Sequence, residues 1–155
     1  MQSVLIVNGT LISDESVKQE NILTGSGRII STGISMPAPP RETTIIDAAG
    51  KYIIPGGIDP HVHFALPTPA GPSCDDFRTG SLAAMAGGTT FIMDFVTPAP
   101  GQDLVEALIL RRQEAEICLL PYKLHVGITW YDHTIPDQMR RCVEEEGITS
   151  FKAYL

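Results

Sequence analysis

The chain has 155 residues, of which 43% are hydrophobic and 19% are charged, a composition typical of folded globular proteins and not of disordered ones. Eleven basic and eighteen acidic residues give a net charge of −7, so the basic surface that nucleic acid requires is missing. No stretch of about 18 apolar residues occurs, and no charged start precedes a long apolar run, so neither a membrane span nor an export signal is predicted. We expect a soluble protein without nucleic-acid or membrane partners.

The three cysteines, Cys74, Cys118 and Cys142, are widely spaced and form no CxxC pair. An odd number at such spacing argues against a disulfide framework and against a cysteine zinc site. We interpret them as free thiols of a reducing, cytoplasmic compartment.

Residues 1–55 consist of short apolar runs separated by turn residues. Asn8 and Gly9 separate the apolar runs 3–7 and 10–12, and Asn-Gly at such a place is the strongest two-residue signal for a β-hairpin. Further strands are predicted over residues 21–24, 28–31, 43–47 and 52–54. The sequence thus predicts a small all-β layer at the N-terminal end.

From Pro55 onward, predicted strands alternate with predicted helices. The helix signals include a candidate cap at Asp103 and a glycine C-cap at Gly147. The strands are predicted over 57–64, 89–95, 122–129 and 148–154, and the helices over 75–86, 102–117 and 135–145. This alternation implies a parallel sheet covered by helices. A TIM barrel needs eight such units and about 250 residues, and four strands are predicted here.

The segment Gly56-Gly-Ile-Asp-Pro-His-Val-His63 carries the clearest chemical signal. In a strand, residues i and i+2 share one face about 6.5 Å apart, so His61 and His63 would present two imidazoles side by side. Neutral imidazoles are natural zinc ligands, and the carboxyl ends of strands are where barrel active sites lie. The alternative is that the two histidines alternate along a strand for packing or by chance.

Three other polar residues need an interpretation: Asp59 has two, and His125 and His133 have one structural interpretation each. Asp59 lies one step before His61 on the same face, where it could accept the second ring N–H of a ligand histidine or only bond nearby backbone. His125, in the middle of a predicted strand, is interpreted as a hydrogen-bonded core histidine. His133, at a helix start, is interpreted as solvated.

Four motifs together resemble one family. The run GGIDPHVH, Asp75-Asp-Phe77, Ala86-Gly-Gly-Thr-Thr90 and Ser150-Phe-Lys152 resembles the cyclic amidohydrolases of the dihydropyrimidinase and hydantoinase type, over essentially all 155 residues. The resemblance implies an α/β fold, a TIM-like (β/α)8 metal-dependent hydrolase barrel that carries a small β-sandwich. Residues 1–55 then correspond to the N-terminal part of the sandwich, and residues 56–155 to about the first four β/α units.

The resemblance also implies a site with two divalent metal ions, usually Zn²⁺. His61 and His63 match the pair that binds the more buried metal, and Lys152 matches a lysine that CO2 converts to a carbamate bridging both metals. An ammonium would be repelled by two dications, whereas a carbamate is an anion with one oxygen for each metal. Without that context, Lys152 would be an exposed lysine near a chain end.

The activity implied is hydrolysis of a cyclic ureide. In the family, a metal-bridging hydroxide attacks the amide carbon of a dihydropyrimidine or hydantoin, and the ring opens to an N-carbamoyl amino acid. Two further histidines, a metal-binding aspartate and a substrate-orienting tyrosine are expected beyond Leu155, so no catalytic residue of the family is expected within the chain. Phe64, Leu66 and Tyr154 could line the exocyclic group of the substrate, or be core and loop residues. A homotetramer is expected for the complete protein.

Two sets of alternatives remain. Dihydroorotases and allantoinases typically place arginine or asparagine where this chain has Ala65, so a neutral or apolar ureide such as dihydrouracil, dihydrothymine or a 5-substituted hydantoin fits better. The protein could also be a non-catalytic binding scaffold related to dihydropyrimidinase, or a truncated half-barrel without activity. We predict that the 155-residue chain alone does not turn over cyclic amides.

Overall fold

The computed structural model describes residues 3–154, so Met1, Gln2 and Leu155, the outermost residues of the two predicted domains, lie outside the described residues. The chain divides into two compact units, one on either side of the junction between Pro55 and Gly56. Among residues 3–154, no helix combines the length and apolar character that crossing a membrane requires.

The first unit is built from strands in the part of the chain that the structure describes. The strands are β1 (Ser3–Val7), β2 (Thr10–Ile12), β3 (Val17–Gln19), β4 (Asn21–Gly25), β5 (Arg28–Gly33), β6 (Thr43–Asp47) and β7 (Tyr52–Ile53). They form two sheets, with strand orders β5-β4-β1-β6 and β3-β2-β7. Leu5, Ile22 and Leu23 are its buried apolar residues along β1 and β4. The short, exposed strand β3 was not predicted, because its residues carry no apolar alternation.

The predicted β-hairpin at Asn8-Gly9 is wrong. Strands β1 and β2 belong to different sheets, and β1 pairs instead with β4 and β6. A type I′ hairpin turn requires a positive φ at both central residues, but only Asn8 has one, at 63°. The side chain of Asn8 donates to Asp47 at 2.9 Å, and its backbone N–H donates to Asn21 at 3.1 Å. These two bonds hold the chain where it crosses from one sheet to the other.

The second unit is a parallel sheet with helices. Its strands are β8 (Gly57–Val62), β9 (Pro67–Thr68), β10 (Gly71–Pro72), β11 (Thr89–Val96), β12 (Tyr122–Ile128) and β13 (Phe151–Ala153), and its helices are α1 (Phe77–Ala86), α2 (Leu104–Glu114) and α3 (Ile135–Glu144). Strands β8, β11, β12 and β13 form one parallel sheet in that order, and β9 pairs with β10 in a small antiparallel ladder. The predicted alternation is observed, with this short ladder as an addition.

The helix boundaries follow local capping chemistry. Asp103 caps α2 as predicted, since its carboxylate accepts the backbone N–H groups of Val105 and Glu106. Gly147 has a left-handed φ of 68°, two residues beyond the cap residue Glu145 of α3. Strand β13 starts later than predicted, because Ile148 donates its N–H to the carbonyl of Cys142 and so belongs to the end of α3.

An apolar cluster joins the sheet to α2 and α3. Its buried members are Val96, Leu104, Val105, Ala107, Leu108, Leu124, Val126, Ile135, Cys142 and Ile148. Burying a leucine or isoleucine of this kind stabilises a fold by about 1.5–3 kcal/mol. All three cysteines are free thiols, and burial raises the pKa of Cys142. This layer anchors the strands whose carboxyl ends carry the candidate site.

Candidate functional site

The predicted ligand residues lie at the carboxyl end of the parallel sheet. Strand β8 ends at Val62, between His61 and His63, and Lys152 lies in β13 at the opposite side of the four-stranded sheet. In a parallel sheet all strands run in one direction, so side chains that follow the strands meet at one edge. Residues that are 91 positions apart in the sequence therefore come together here.

A β-bulge shapes the histidine strand. Between the paired positions Asp59–Ile92 and Val62–Asp94, β8 has one residue more than β11. The extra residue frees the backbone N–H of His61 from the ladder, and the carboxylate of Asp59 accepts it at 3.1 Å. Of the two interpretations of Asp59, the structure thus has the bond to nearby backbone.

The two imidazoles converge through the same ring nitrogen. The Nε2 atoms of His61 and His63 lie 3.2 Å apart. Tetrahedral zinc with Zn–N bonds of 2.0–2.1 Å places two nitrogen ligands roughly 3.3–3.4 Å apart, so the observed spacing fits a shared metal ion. Burial lowers the pKa of His63, which favours the neutral imidazole that binds metals. The second ring nitrogen of His63, Nδ1, is buried and has no hydrogen-bond partner among the described residues.

Lys152 completes the group. Its Nζ lies 3.4 Å from Nε2 of His61 and 4.4 Å from the ring centre of Phe95. Phe95 also contacts both histidines, with ring centres 4.6 Å and 4.7 Å away. The structure thus brings His61, His63 and Lys152 together over one aromatic ring.

The described residues supply a partial ligand set. Within residues 3–154, no group of three or more His, Cys, Asp or Glu side chains is arranged to hold a metal ion. Catalytic zinc sites use three protein ligands and an open position. His61 and His63, with a modified Lys152 beside them, would therefore hold a metal only in combination with further ligands.

His125 links the two ligand-bearing strands. Its Nε2 lies 3.2 Å from the carbonyl oxygen of Pro60, and its Nδ1 lies 2.6 Å from the hydroxyl of Ser150. Because a carbonyl only accepts, Nε2 carries the proton and Nδ1 accepts the hydroxyl of Ser150. The predicted hydrogen bonds are present, but His125 is only partly buried and is not a member of the apolar core cluster. What the sequence did not predict is the position of its partners, one residue before His61 and two before Lys152.

A buried ion pair that the sequence did not predict lies beside the candidate site. Asp94 is fully buried in β11, and both Nε and Nη2 of Arg111 donate to its Oδ1, at 3.1 Å and 2.6 Å. The available signal was an aspartate inside the apolar run Phe91–Val96, a place where a carboxylate needs a partner. The partner itself lies 17 residues away on α2, which no local pattern indicates.

The three candidate substrate residues have different surroundings. The ring of Phe64 packs on Phe77 of α1, with ring centres 5.5 Å apart, and lies so close to Gly80 that a Cβ there would come within 2.2 Å of it. Leu66 lines a cavity together with Phe95 and other residues of β11 and α2. Tyr154 is half exposed, with its ring centre 5.2 Å from Nζ of Lys152.

Known proteins share this sequence and this fold. No family model matches the chain. It is 42% identical to dihydropyrimidinase of Dictyostelium discoideum over 99% of this chain and 30% of that protein, and 35% identical to D-hydantoinase of Geobacillus stearothermophilus over 97% of this chain and 32% of that protein. The crystal structure of dihydropyrimidinase from Brevibacillus agri superimposes with a TM-score of 0.89 at 31% identity, covering 96% of this chain and 32% of that one.

These similarities extend along nearly the whole chain, in sequence and in backbone. The chain spans about 30% of the length of the curated relatives that it matches. The resemblance predicted from the four motifs is therefore confirmed: along nearly its whole length, this chain is similar to about one third of the length of dihydropyrimidinases and D-hydantoinases.

Proposed function

We propose that this chain supplies His61, His63 and Lys152 to the two-metal site of a hydrolase that opens dihydropyrimidines or hydantoins to N-carbamoyl amino acids. The observation that carries the proposal is the convergence of the two Nε2 atoms at 3.2 Å with Nζ of Lys152 at 3.4 Å from one of them. The remaining ligands, two histidines and an aspartate, and the substrate-orienting tyrosine belong to elements outside residues 3–154. The names of the matched relatives support this substrate class.

The metal ions proposed are two Zn²⁺. When bound, they supply polarisation of the ring carbonyl and a bound water of lowered pKa. His61 and His63 contribute neutral nitrogen donors, and Phe95 beneath them presents an apolar surface that excludes water from one side. Histidine as a zinc donor and the spacing of the two nitrogens are both consistent with this assignment.

Lys152 is proposed to act as a carbamate. The ammonium first gives one proton to solvent, and the neutral amine then attacks CO2. An N–C bond forms, one C–O π bond of CO2 breaks and a second proton leaves to solvent, so a cation is replaced by an anion with two oxygens. In the chain itself, Nζ lies over the rings of Phe95 and Tyr154, 4.4 Å and 5.2 Å from their centres. Two dications bound beside it would disfavour the ammonium and stabilise the carbamate.

The substrate is proposed to be a neutral or apolar ureide. Ala65, which follows the histidines, has no charge with which to bind a substrate carboxylate, as an arginine at that place would. Leu66 and Tyr154 are proposed to contact the exocyclic group, and Phe64 to contribute by packing the loop onto α1. A dihydroorotase-like or allantoinase-like activity is the second candidate for the same site.

The remaining features of the proposal concern the whole protein. We assign residues 1–55 to part of a β-sandwich, residues 56–155 to the first four units of a (β/α)8 barrel, and the assembly to a cytoplasmic homotetramer without nucleic-acid or membrane partners. A non-catalytic scaffold is the alternative of a different class, and the partial ligand set within residues 3–154 is the observation in its favour. For the same reason, we expect the 155-residue chain alone not to hydrolyse dihydrouracil.

The test compares two variants of the intact protein, His61→Ala and His133→Ala. The zinc content and the rate of dihydrouracil hydrolysis are measured for both. His133 lies outside the candidate site, so this variant controls for loss of an imidazole as such. We expect His61→Ala to lose zinc and at least about 10³-fold in kcat, the scale of losing charge stabilisation at a reacting centre. Equal zinc content and equal activity in the two variants would contradict the proposal. A protein that binds zinc but hydrolyses no ureide would favour the scaffold.

A further inference from the structure

Asp94 and Arg111 hold both backbone polar groups of Phe64, the residue that follows His63. The Oδ2 atom of Asp94 accepts the N–H of Phe64 at 2.9 Å, and Nη2 of Arg111 donates to the carbonyl oxygen of Phe64 at 2.5 Å. Arg111 and Asp94 are themselves joined through Oδ1 of Asp94. We call Asp94 and Arg111, with the backbone of Phe64 between them, the Phe64 clamp.

The clamp lies where strand pairing ends. The last paired position of β8 is Val62, opposite Asp94, so the backbones of His63 and Phe64 continue beyond the ladder. A chain that leaves a sheet has no ladder bonds to fix its direction. The two side chains of the clamp replace those bonds at Phe64, two residues beyond Val62, and they do so from β11 and α2.

The clamp is shielded from water. Asp94 has 0% and Arg111 8% of its surface exposed, and the guanidinium also lies 4.5 Å from the ring centre of Phe77 and 2.5 Å from a carboxylate oxygen of Glu114. The planar guanidinium donates in a fixed fork, so its bond to Asp94 dictates where its bond to the Phe64 carbonyl lies.

The chain is bent sharply at the next residue. Ala65 has a φ of 44°, in the left-handed region that residues with a side chain rarely adopt. Such a conformation persists only where the surrounding structure holds it. The clamp on one side and the bond from the N–H of Ala65 to the carbonyl of Asp75 on the other supply that restraint.

We propose that Asp94 and Arg111 are positioning residues that direct the imidazole of His63 toward that of His61. They act through the backbone of Phe64 and contact neither the metal nor the substrate. The inference rests on the proposed function, in which the two imidazoles share a metal ion. It predicts that loosening the clamp changes metal binding before it changes the fold.

The test compares Arg111→Lys with Arg112→Lys in the intact protein. Arg112 is a matched control, because its guanidinium likewise binds a carboxylate and a backbone carbonyl, both of Glu146, and that contact involves none of the histidines. Each variant keeps the charge and removes the fork. Co²⁺ replaces zinc as the probe, since its visible spectrum reports the geometry of its ligands. Co²⁺ affinity is measured by competition with a chelator, and Tm is measured in the absence of metal.

We expect Arg111→Lys to weaken Co²⁺ binding by about 10–100-fold and to alter the visible spectrum, as loss of a group that orients a ligand does elsewhere. Arg112→Lys should keep the parent affinity and spectrum and, because the Arg112 side chain is more exposed than that of Arg111, should lose less in Tm. Parent affinity and spectrum in a folded Arg111→Lys would overturn the inference. If His61→Ala binds Co²⁺ with the same affinity as the parent protein, the proposed function is wrong instead.

Amide hydrogen exchange keeps the inference testable if Arg111→Lys does not fold. In the metal-free parent, the N–H of Phe64 should exchange at least about 10³-fold more slowly than in an open loop, because it is bonded to a fully buried carboxylate. Exchange of the Phe64 amide at the rate of an open loop would overturn the inference without any variant.

Discussion

The two faces of the parallel sheet differ in what their side chains do. On one face, which we call the helix face, alternate residues such as Ile92, Asp94 and Val126 are buried. Asp94 binds Arg111 of α2, and Val126 belongs to the apolar cluster with α2 and α3. On the other, the histidine face, Phe95 and His125 contact each other and, with His61 and Lys152, form a polar and aromatic group. Because side chains alternate along a strand, neighbouring residues point to opposite faces of the sheet, one toward the core and the other toward the candidate site.

The two faces contribute differently to stability and to chemistry. The helix face is a closed core, so substitutions there should lower the free energy of unfolding. The histidine face holds polar groups, which are unfavourable to bury without hydrogen-bond partners and which can bind a ligand. The Phe64 clamp joins the two, because Asp94 points to the helix face and its carboxylate reaches the backbone beside His63. Substitutions on each face test this division.

The largest loss of stability is expected from Arg111→Leu. It leaves Asp94 as an unpaired charge in the interior, which costs about 3–5 kcal/mol of unfolding free energy. Urea unfolding of the intact protein measures the change. As a control, Arg140→Leu removes an exposed arginine paired with Asp137 and should cost about 1 kcal/mol or less. A cost for Arg111→Leu as small as that of the control would contradict the burial of the pair.

Leu108→Ala should cost nearly as much, about 2–5 kcal/mol, because Leu108 is fully buried in the cluster between the sheet and α2. Leu110→Ala, two residues along the same helix, removes the same atoms from a half-exposed site and should cost about 1 kcal/mol or less. The pair is compared by urea unfolding. Similar costs at the two positions would mean that the helix face is not the closed core described above.

On the histidine face, His125→Phe should have a smaller effect on stability and a measurable one on the site. It keeps a ring against Phe95 but removes the bonds to Pro60 and Ser150, which costs about 1–3 kcal/mol. Ser150→Ala removes only one of the two bonds and should cost about 1 kcal/mol. Zinc affinity is measured beside unfolding. Unchanged stability and unchanged zinc affinity in His125→Phe would show that this histidine does not tie the two strands together.

The smallest effect is expected at the N-cap of α2, whose side chain belongs neither to the apolar cluster nor to the histidine face. Asp103→Ala removes the N-cap of α2 and should cost about 1 kcal/mol, whereas Asp103→Asn keeps a capping oxygen and should be nearly neutral. Thermal unfolding of the two variants measures the difference. Equal Tm values for them would mean that Asp103 does not stabilise α2 through its cap.

Local signals predicted most of the second unit. Apolar runs of the right length, the cap at Asp103 and the turn glycine Gly147 locate its strands and helices to within a few residues. In the first unit, the same kind of signal failed at Asn8, because side-chain bonds to β4 and β6 decide which strands pair there. Those partners are 13 and 39 residues away, beyond the reach of a turn motif.

The candidate site likewise has residues that the sequence predicted and features that it did not. His61 and His63 follow from their spacing on one strand, and Lys152 follows only from the resemblance to a known family, because nothing local links it to residues 91 positions earlier. The bulge at Pro60 and His61 and the pairing of Asp94 with Arg111 were not predicted. Both depend on register and packing between elements, which the order of the residues does not display.

Anomalous diffraction at the zinc absorption edge, from crystals of the intact protein, tests whether His61 and His63 share a metal ion beside a modified lysine. We expect a zinc peak about 2.0–2.1 Å from Nε2 of both histidines and electron density for a carboxylate bonded to Nζ of Lys152. Absence of zinc at the two histidines, with their Nε2 atoms hydrogen-bonded directly to each other, would contradict a shared metal ion.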